Sequence, residues 1–206
     1  MSTAPKSSPI QLTVLSLLHL KPLHPYGMQR LLKEWGKDQV VNVGQRTSLY
    51  RAIDRLLGAG LIAVRETGRD QQYPERTVYE VTDAGRATTR TWLLEMLREP
   101  KLEFPEFPVA LANLMLLAPD EIEQALTARL TAVRAGQAAQ ERSLADTAAL
   151  GVPRVAMLEN EYARALAAAE GDWLESVLAD LRSGHLTWSG EELIAIAQAG
   201  DAQAPQ

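Results

Sequence analysis

The hydrophobic period of this chain changes at Gly58-Ala59-Gly60, from that of a helix to that of a strand. Before it, Leu49, Ile53, Leu56 and Leu57 recur at helical spacing; after it come two short runs rich in β-formers, 61–66 and 77–82. The ten residues between those runs are polar and carry Gly68 and Pro74, which predicts a hairpin with a long tip. Every other periodic segment reads as helix, so the fold class is mainly α with one two-stranded hairpin.

Three helices are expected ahead of the hairpin. Pro9 opens the first, whose apolar residues Ile10, Val14, Leu15, Leu17, Leu18 and Leu20 cover much of its surface and predict a central, buried element. Lys21 to Pro25 breaks it, and a second helix follows from Tyr26 to Trp35. The third begins at Asn42, capped by an Asn42–Gln45 box or by Thr47, and ends where Gly58 or Gly60 supplies a left-handed residue. After the hairpin, Thr82 or Asp83 caps a fourth helix that reaches Pro100.

Pro100, Pro105 and Pro108 mark a linker at 99–108 between a domain at 1–98 and a helical domain at 109–200, with 201–206 an unstructured tail. The second domain reads as a short apolar helix from Val109 to Leu117 and two long amphipathic ones. Ile122, Leu126, Leu130 and Val133 form the stripe of one; Val155, Leu158, Tyr162, Leu166, Trp173, Val177 and Leu181 that of the other. Such helices need each other and a partner.

Composition narrows the function. The absence of cysteine excludes disulfides, thiol catalysis and cysteine-ligated zinc. The N-terminus does not read as a signal peptide and no apolar run approaches the ~20 residues of a membrane span, so a cytoplasmic location is expected. The net charge of −5 conceals an asymmetry: residues 1–98 hold 14 Lys or Arg against 9 Asp or Glu, and the remainder 7 against 17. The first part suits an anionic polymer and the second does not. His19, His24 and His185 are too scattered for a metal site, and Asp180, His185 and Ser189 lack a nucleophile elbow. Neither a Gly-rich phosphate loop nor any other cofactor motif is present, so no catalytic residue, cofactor or metal is expected.

Helix, helix, capped helix, hairpin is the order of a winged helix-turn-helix, in which the third helix enters the major groove. At roughly 100° per residue, Leu49, Ile53, Leu56 and Leu57 fall within one arc and Thr47, Ser48, Arg51 and Arg55 within the opposite one. Arginine makes bidentate contacts to guanine, while hydroxyls suit phosphates or base edges. The candidate DNA-binding residues are therefore Arg46, Thr47, Ser48, Tyr50, Arg51 and Arg55 of the third helix, with Tyr26 and Gln29 at the start of the second. Arg69, Gln71, Gln72 and Arg76 of the hairpin tip complete the set. A winged helix that binds protein instead of DNA is the alternative.

The string LTVLSLLHLKPLHPYGMQRLL resembles the opening of the PadR family of transcriptional regulators, SLYRAIDRLLGAGLI its third helix, and YEVTDAGR its strand-to-helix junction. Pro25 stands where a Gly is usual in the opening turn, and Thr47 where many relatives have Gly; both bear on which bases are read. The resemblance implies a homodimer formed through the C-terminal helices, binding an inverted-repeat operator as a repressor. It also implies a response to a small aromatic or amphipathic effector. Trp92, Tyr162, Trp173 and Trp188 either line that site or serve ordinary core and dimer packing.

Overall fold

The computed structural model describes residues 7–37, 40–41, 46–70 and 73–189, without the side chains of 46, 67–70 and 73–76. The chain divides into two compact units, Met1–Leu102 and Glu103–Gln206.

The first unit is built on α1 (Pro9–Leu20), whose Val14, Leu15, Leu17 and Leu18 are buried against α3 (Arg46–Gly58), α4 (Asp83–Arg98) and the hairpin. Leu20, expected inside, is exposed at the end of the helix. In α2 (Pro25–Glu34), His24 is the N-cap: its Nδ1 accepts from the Gly27 N–H at 2.8 Å, satisfying a first-turn donor that has no partner within the helix. Met28, Leu31 and Leu32 carry α2 into the same core.

The α3 start differs from expectation. Thr47 lies inside the first turn of α3 and is not its cap, while Asn42 and Gln45 lie outside the described residues. At the other end, the Gly60 N–H bonds to the Leu57 carbonyl at 3.0 Å and the Leu61 N–H to that of Leu56 at 2.9 Å. This paired termination needs a left-handed residue, and Gly60 at φ 68° supplies it. The interior face of α3 is Leu49, Ala52, Ile53 and Leu56; Leu57 is exposed. Ala52 falls on the arc opposite Leu57, which rotates the buried face away from the latter.

Strands β1 (Ile62–Asp70) and β2 (Tyr73–Val81) pair antiparallel from Ile62↔Val81 to Asp70↔Tyr73. The paired strands thus run through most of what reads as a long tip. Two register shifts take up the irregularities, and a two-stranded ribbon is all edge, so Gly68 and Pro74 do not end it. Leu23 adds a short antiparallel bridge to Tyr79, with N–H···O distances of 3.1 and 3.0 Å, tying the α1–α2 turn to the hairpin.

One hydroxyl fastens the base of the hairpin. Thr82 Oγ1 donates to the Gly60 carbonyl at 2.8 Å and accepts from the Gly85 N–H at 3.0 Å. It thereby joins the end of α3, the end of β2 and the N-terminus of α4. Gly85 is required there, because a Cβ would overlap the Leu61 carbonyl oxygen and approach Val81 Cγ2 to 2.8 Å.

The second unit starts with α5 (Glu106–Ala112), earlier than expected and inside the segment read as linker. Pro108 sits in the first turn, where helical N–H groups have no partner to lose, so it does not forbid the helix. After a 3-10 turn at Leu114–Leu116 come α6 (Pro119–Ala149) and, behind a second 3-10 turn, α7 (Leu158–Ser183). These two pack as an antiparallel pair, since Arg182–Glu123 (2.7 Å), Arg129–Glu170 (2.6 Å) and Arg164–Glu141 (3.8 Å) run in opposite order along them. Arg134, bonded to Asp172 and Glu175, lies over Gly171, where a Cβ would come within 2.7 Å of its guanidinium carbon.

The α6 stripe packs as read, with Ile122 and Leu126 buried and Leu130 and Val133 at the margin. The α7 stripe packs only in part, through Val177 and Leu181 at the margin of the same core. Leu174 and Leu178 face α6, whereas Val155, Leu158, Tyr162, Leu166 and Trp173 remain exposed. On a helix the second group lies roughly a third of a turn from the first, so two apolar faces merge into one in the sequence.

Candidate nucleic-acid interface

The third helix presents its polar arc as a continuous surface. Thr47, Tyr50, Arg51, Asp54 and Arg55 are exposed and Ser48 is half-buried, while the opposite side is sealed in the core. Neither Arg51 nor Arg55 forms an ion pair among the described residues, so no described carboxylate competes with an external partner for their donors. Of Arg46 only the backbone, at the first residue of α3, is described.

The start of α2 adds Tyr26, which is exposed and stacked on His24 with ring centroids 6.1 Å apart. Gln29, one turn on, is half-buried. On the hairpin, Arg69 belongs to β1 and Arg76 to β2, where Arg76 pairs with Gly68; their side chains are outside the described set, as are Gln71 and Gln72 entirely. Arg65 is exposed nearby but lies 3.8 Å from both Glu66 and Glu80, which offset its charge.

The α3 surface and the hairpin meet at Tyr79. Its phenol is pushed above the usual range by burial first, then by the negative charge of Asp54, with a contribution from Tyr50. Asp54 is the residue that sequence reasoning passed over. Its helical position puts it among Thr47, Arg51 and Arg55, but a carboxylate does not fit a simple picture of a basic face.

Residues 14–91 match the model of the transcriptional regulator PadR-like family. The first unit thus carries a PadR-like family domain over those residues. The winged-helix expectation holds for that unit. Among solved structures, Bacillus subtilis PadR in complex with operator DNA is similar at 22% identity with a TM-score of 0.67, covering 84% of this chain and 99% of that one. The same PadR in complex with p-coumaric acid matches at 21% identity and 0.65, over 84% and 98%. The Vibrio cholerae virulence activator AphA matches at 18% and 0.63, also over 84% and 98%. No curated protein is significantly similar to the chain. Among the described residues, no helix is long and apolar enough to cross a membrane.

The aromatic residues proposed for an effector site have varied surroundings. Trp92 is buried in the core of the first unit, packed with the α1 and α3 side chains. In the second, Trp173 meets Phe107 edge-on at 6.1 Å, and Trp188 donates its indole N–H to the Leu117 carbonyl at 3.2 Å. Tyr162 and Trp173 share the exposed side of α7, about three turns apart.

Proposed function

We propose that this regulator acts as a homodimer that binds an inverted-repeat operator through α3 and represses transcription, with a small aromatic effector relieving repression. The outward pair Arg51 and Arg55, opposite the buried face and in no ion pair among the described residues, is the observation that carries the DNA-binding part. Tyr26, Gln29, Arg46, Thr47, Ser48 and Tyr50 flank it, and Arg69, Gln71, Gln72 and Arg76 belong to the wing that would follow the backbone beside it. The operator complex of the Bacillus subtilis relative supports the same use of the fold.

The homodimer is supported by the apolar side of α7 that its own unit leaves uncovered, with Tyr162, Leu166 and Trp173 exposed. A two-fold pair sets two recognition helices about 34 Å apart, one turn of DNA. Selection of bound duplexes from a random pool is expected to return two inverted half-sites at that spacing, with affinity falling steeply as salt rises. The double variant Tyr162→Asp, Leu166→Asp is expected to sediment as a monomer and to bind a single half-site only weakly. A wild type that stays monomeric and ignores every duplex would overturn the reading in favour of a protein-binding winged helix.

The effector is proposed from the p-coumaric acid complex of the relative and from the half-exposed aromatic side chains of the second unit. Titrating p-coumaric acid against the operator complex is expected to quench tryptophan emission and release DNA at the same concentration. Release without an emission change would remove Trp173 and Trp188 from the site; no release would set aside this ligand class.

A further inference from the structure

We propose that Asp54 is a specificity-determining residue of the α3 surface, disfavouring any duplex that places no cytosine amino group within reach of its carboxylate. The inference rests on the proposed DNA-contacting role of that surface and adds to it a means of rejection.

Asp54 is exposed on the same side of α3 as Thr47 and Arg51, with Arg55 next to it in the chain. It enters no ion pair among the described residues, so neither arginine neutralises it within the protein. Its charge is felt by the half-buried Tyr79 of β2, which fixes the carboxylate near the junction of helix and hairpin.

An ionised carboxylate only accepts hydrogen bonds. Set against phosphate oxygens, or against the N7 and O6 acceptors of guanine, it repels. In the major groove it is matched by an amino group, above all cytosine N4–H₂. The arginines beside it draw in any duplex through its backbone charge, without regard to sequence. Asp54 then makes that attraction conditional. Where a cytosine amino group lies within reach the carboxylate is satisfied; elsewhere it is desolvated without a partner, and the complex is weakened. A purely cationic helix would hold non-operator DNA more tightly and discriminate less.

The test compares wild type, Asp54→Ala and Asp54→Asn as full chains, by fluorescence anisotropy at one salt concentration. The probes are the duplex selected from a random pool and a scrambled duplex of equal length and composition. Asp54→Ala is expected to tighten the scrambled duplex about tenfold while leaving the selected one unchanged or weaker, so the ratio of affinities falls at least that far. Repeating the selection with this variant should lose a cytosine preference at one position of each half-site. Asp54→Asn should likewise tighten the scrambled duplex, since it too removes the charge. Equal tightening on both duplexes would reduce Asp54 to a contribution to bulk charge and overturn the proposal, as would no change on either. If the wild type binds both duplexes but Arg51→Ala with Arg55→Ala alters neither, the assignment of the surface itself has failed.

Discussion

Alanine at both Arg51 and Arg55 is expected to weaken operator binding by about a thousandfold while leaving the protein folded. A good side-chain contact to a base edge contributes about 1–3 kcal/mol, and a dimer loses four of these side chains at once. Even at the lower end this amounts to about 4 kcal/mol, or roughly three decades in Kd. The plot of log affinity against log salt should flatten as well, by the share of these side chains that neutralise phosphates. Stability should change little, because both side chains are exposed and form no ion pair among the described residues. Anisotropy across a salt series checks the first part and a urea titration the second. Undiminished binding by a folded double variant would mean that another surface meets the DNA.

Gly85→Ala is expected to be the most destabilising small substitution in the first unit. In an unobstructed helix the same change stabilises, by about 1 kcal/mol, because alanine loses less backbone entropy on folding. At Gly85 the added carbon overlaps the Leu61 carbonyl oxygen, which already accepts from the Thr82 N–H at 3.1 Å. Relief requires α4 to shift away from β1, breaking the Thr82 bonds as it goes. We expect a loss of about 3 kcal/mol, at the upper end for overpacked sites, read as a lower urea midpoint at unchanged slope. Gly136→Ala is the matched control: it lies within α6 with nothing inside 4 Å of its added carbon, and should raise the midpoint slightly. If Gly85→Ala behaved like Gly136→Ala, the close approach of α4 to β1 would be wrong.

The fold was most legible where burial and backbone geometry act together. The Leu49–Ile53–Leu56 spacing revealed α3, and the glycines after it revealed the left-handed exit, because both depend on local chain geometry. Leu57 and the α7 stripe were misjudged for a different reason. Apolar residues that a helix keeps for an outside surface look the same in sequence as those it buries. The hairpin was read too short because Gly68 and Pro74 punctuate most structures, yet backbone pairing in a free-standing ribbon continues past them. In the candidate interface, Arg51 and Arg55 followed from helical phase alone. Asp54 has the same phase, and only its lack of an ion pair among the described residues gives it meaning.

The Thr82 hydroxyl joins the exit of α3, at the root of the wing, to the start of α4 with two hydrogen bonds. Helix and wing consequently behave as one stiff reading head. A regulatory signal cannot retune that head by bending one against the other without rupturing the clasp and uncovering the core beneath it. In the proposed homodimer, what is left for a signal to adjust is the placement of a whole head relative to its twin, so regulation is expected to be felt as a change in half-site spacing and not in the bases preferred.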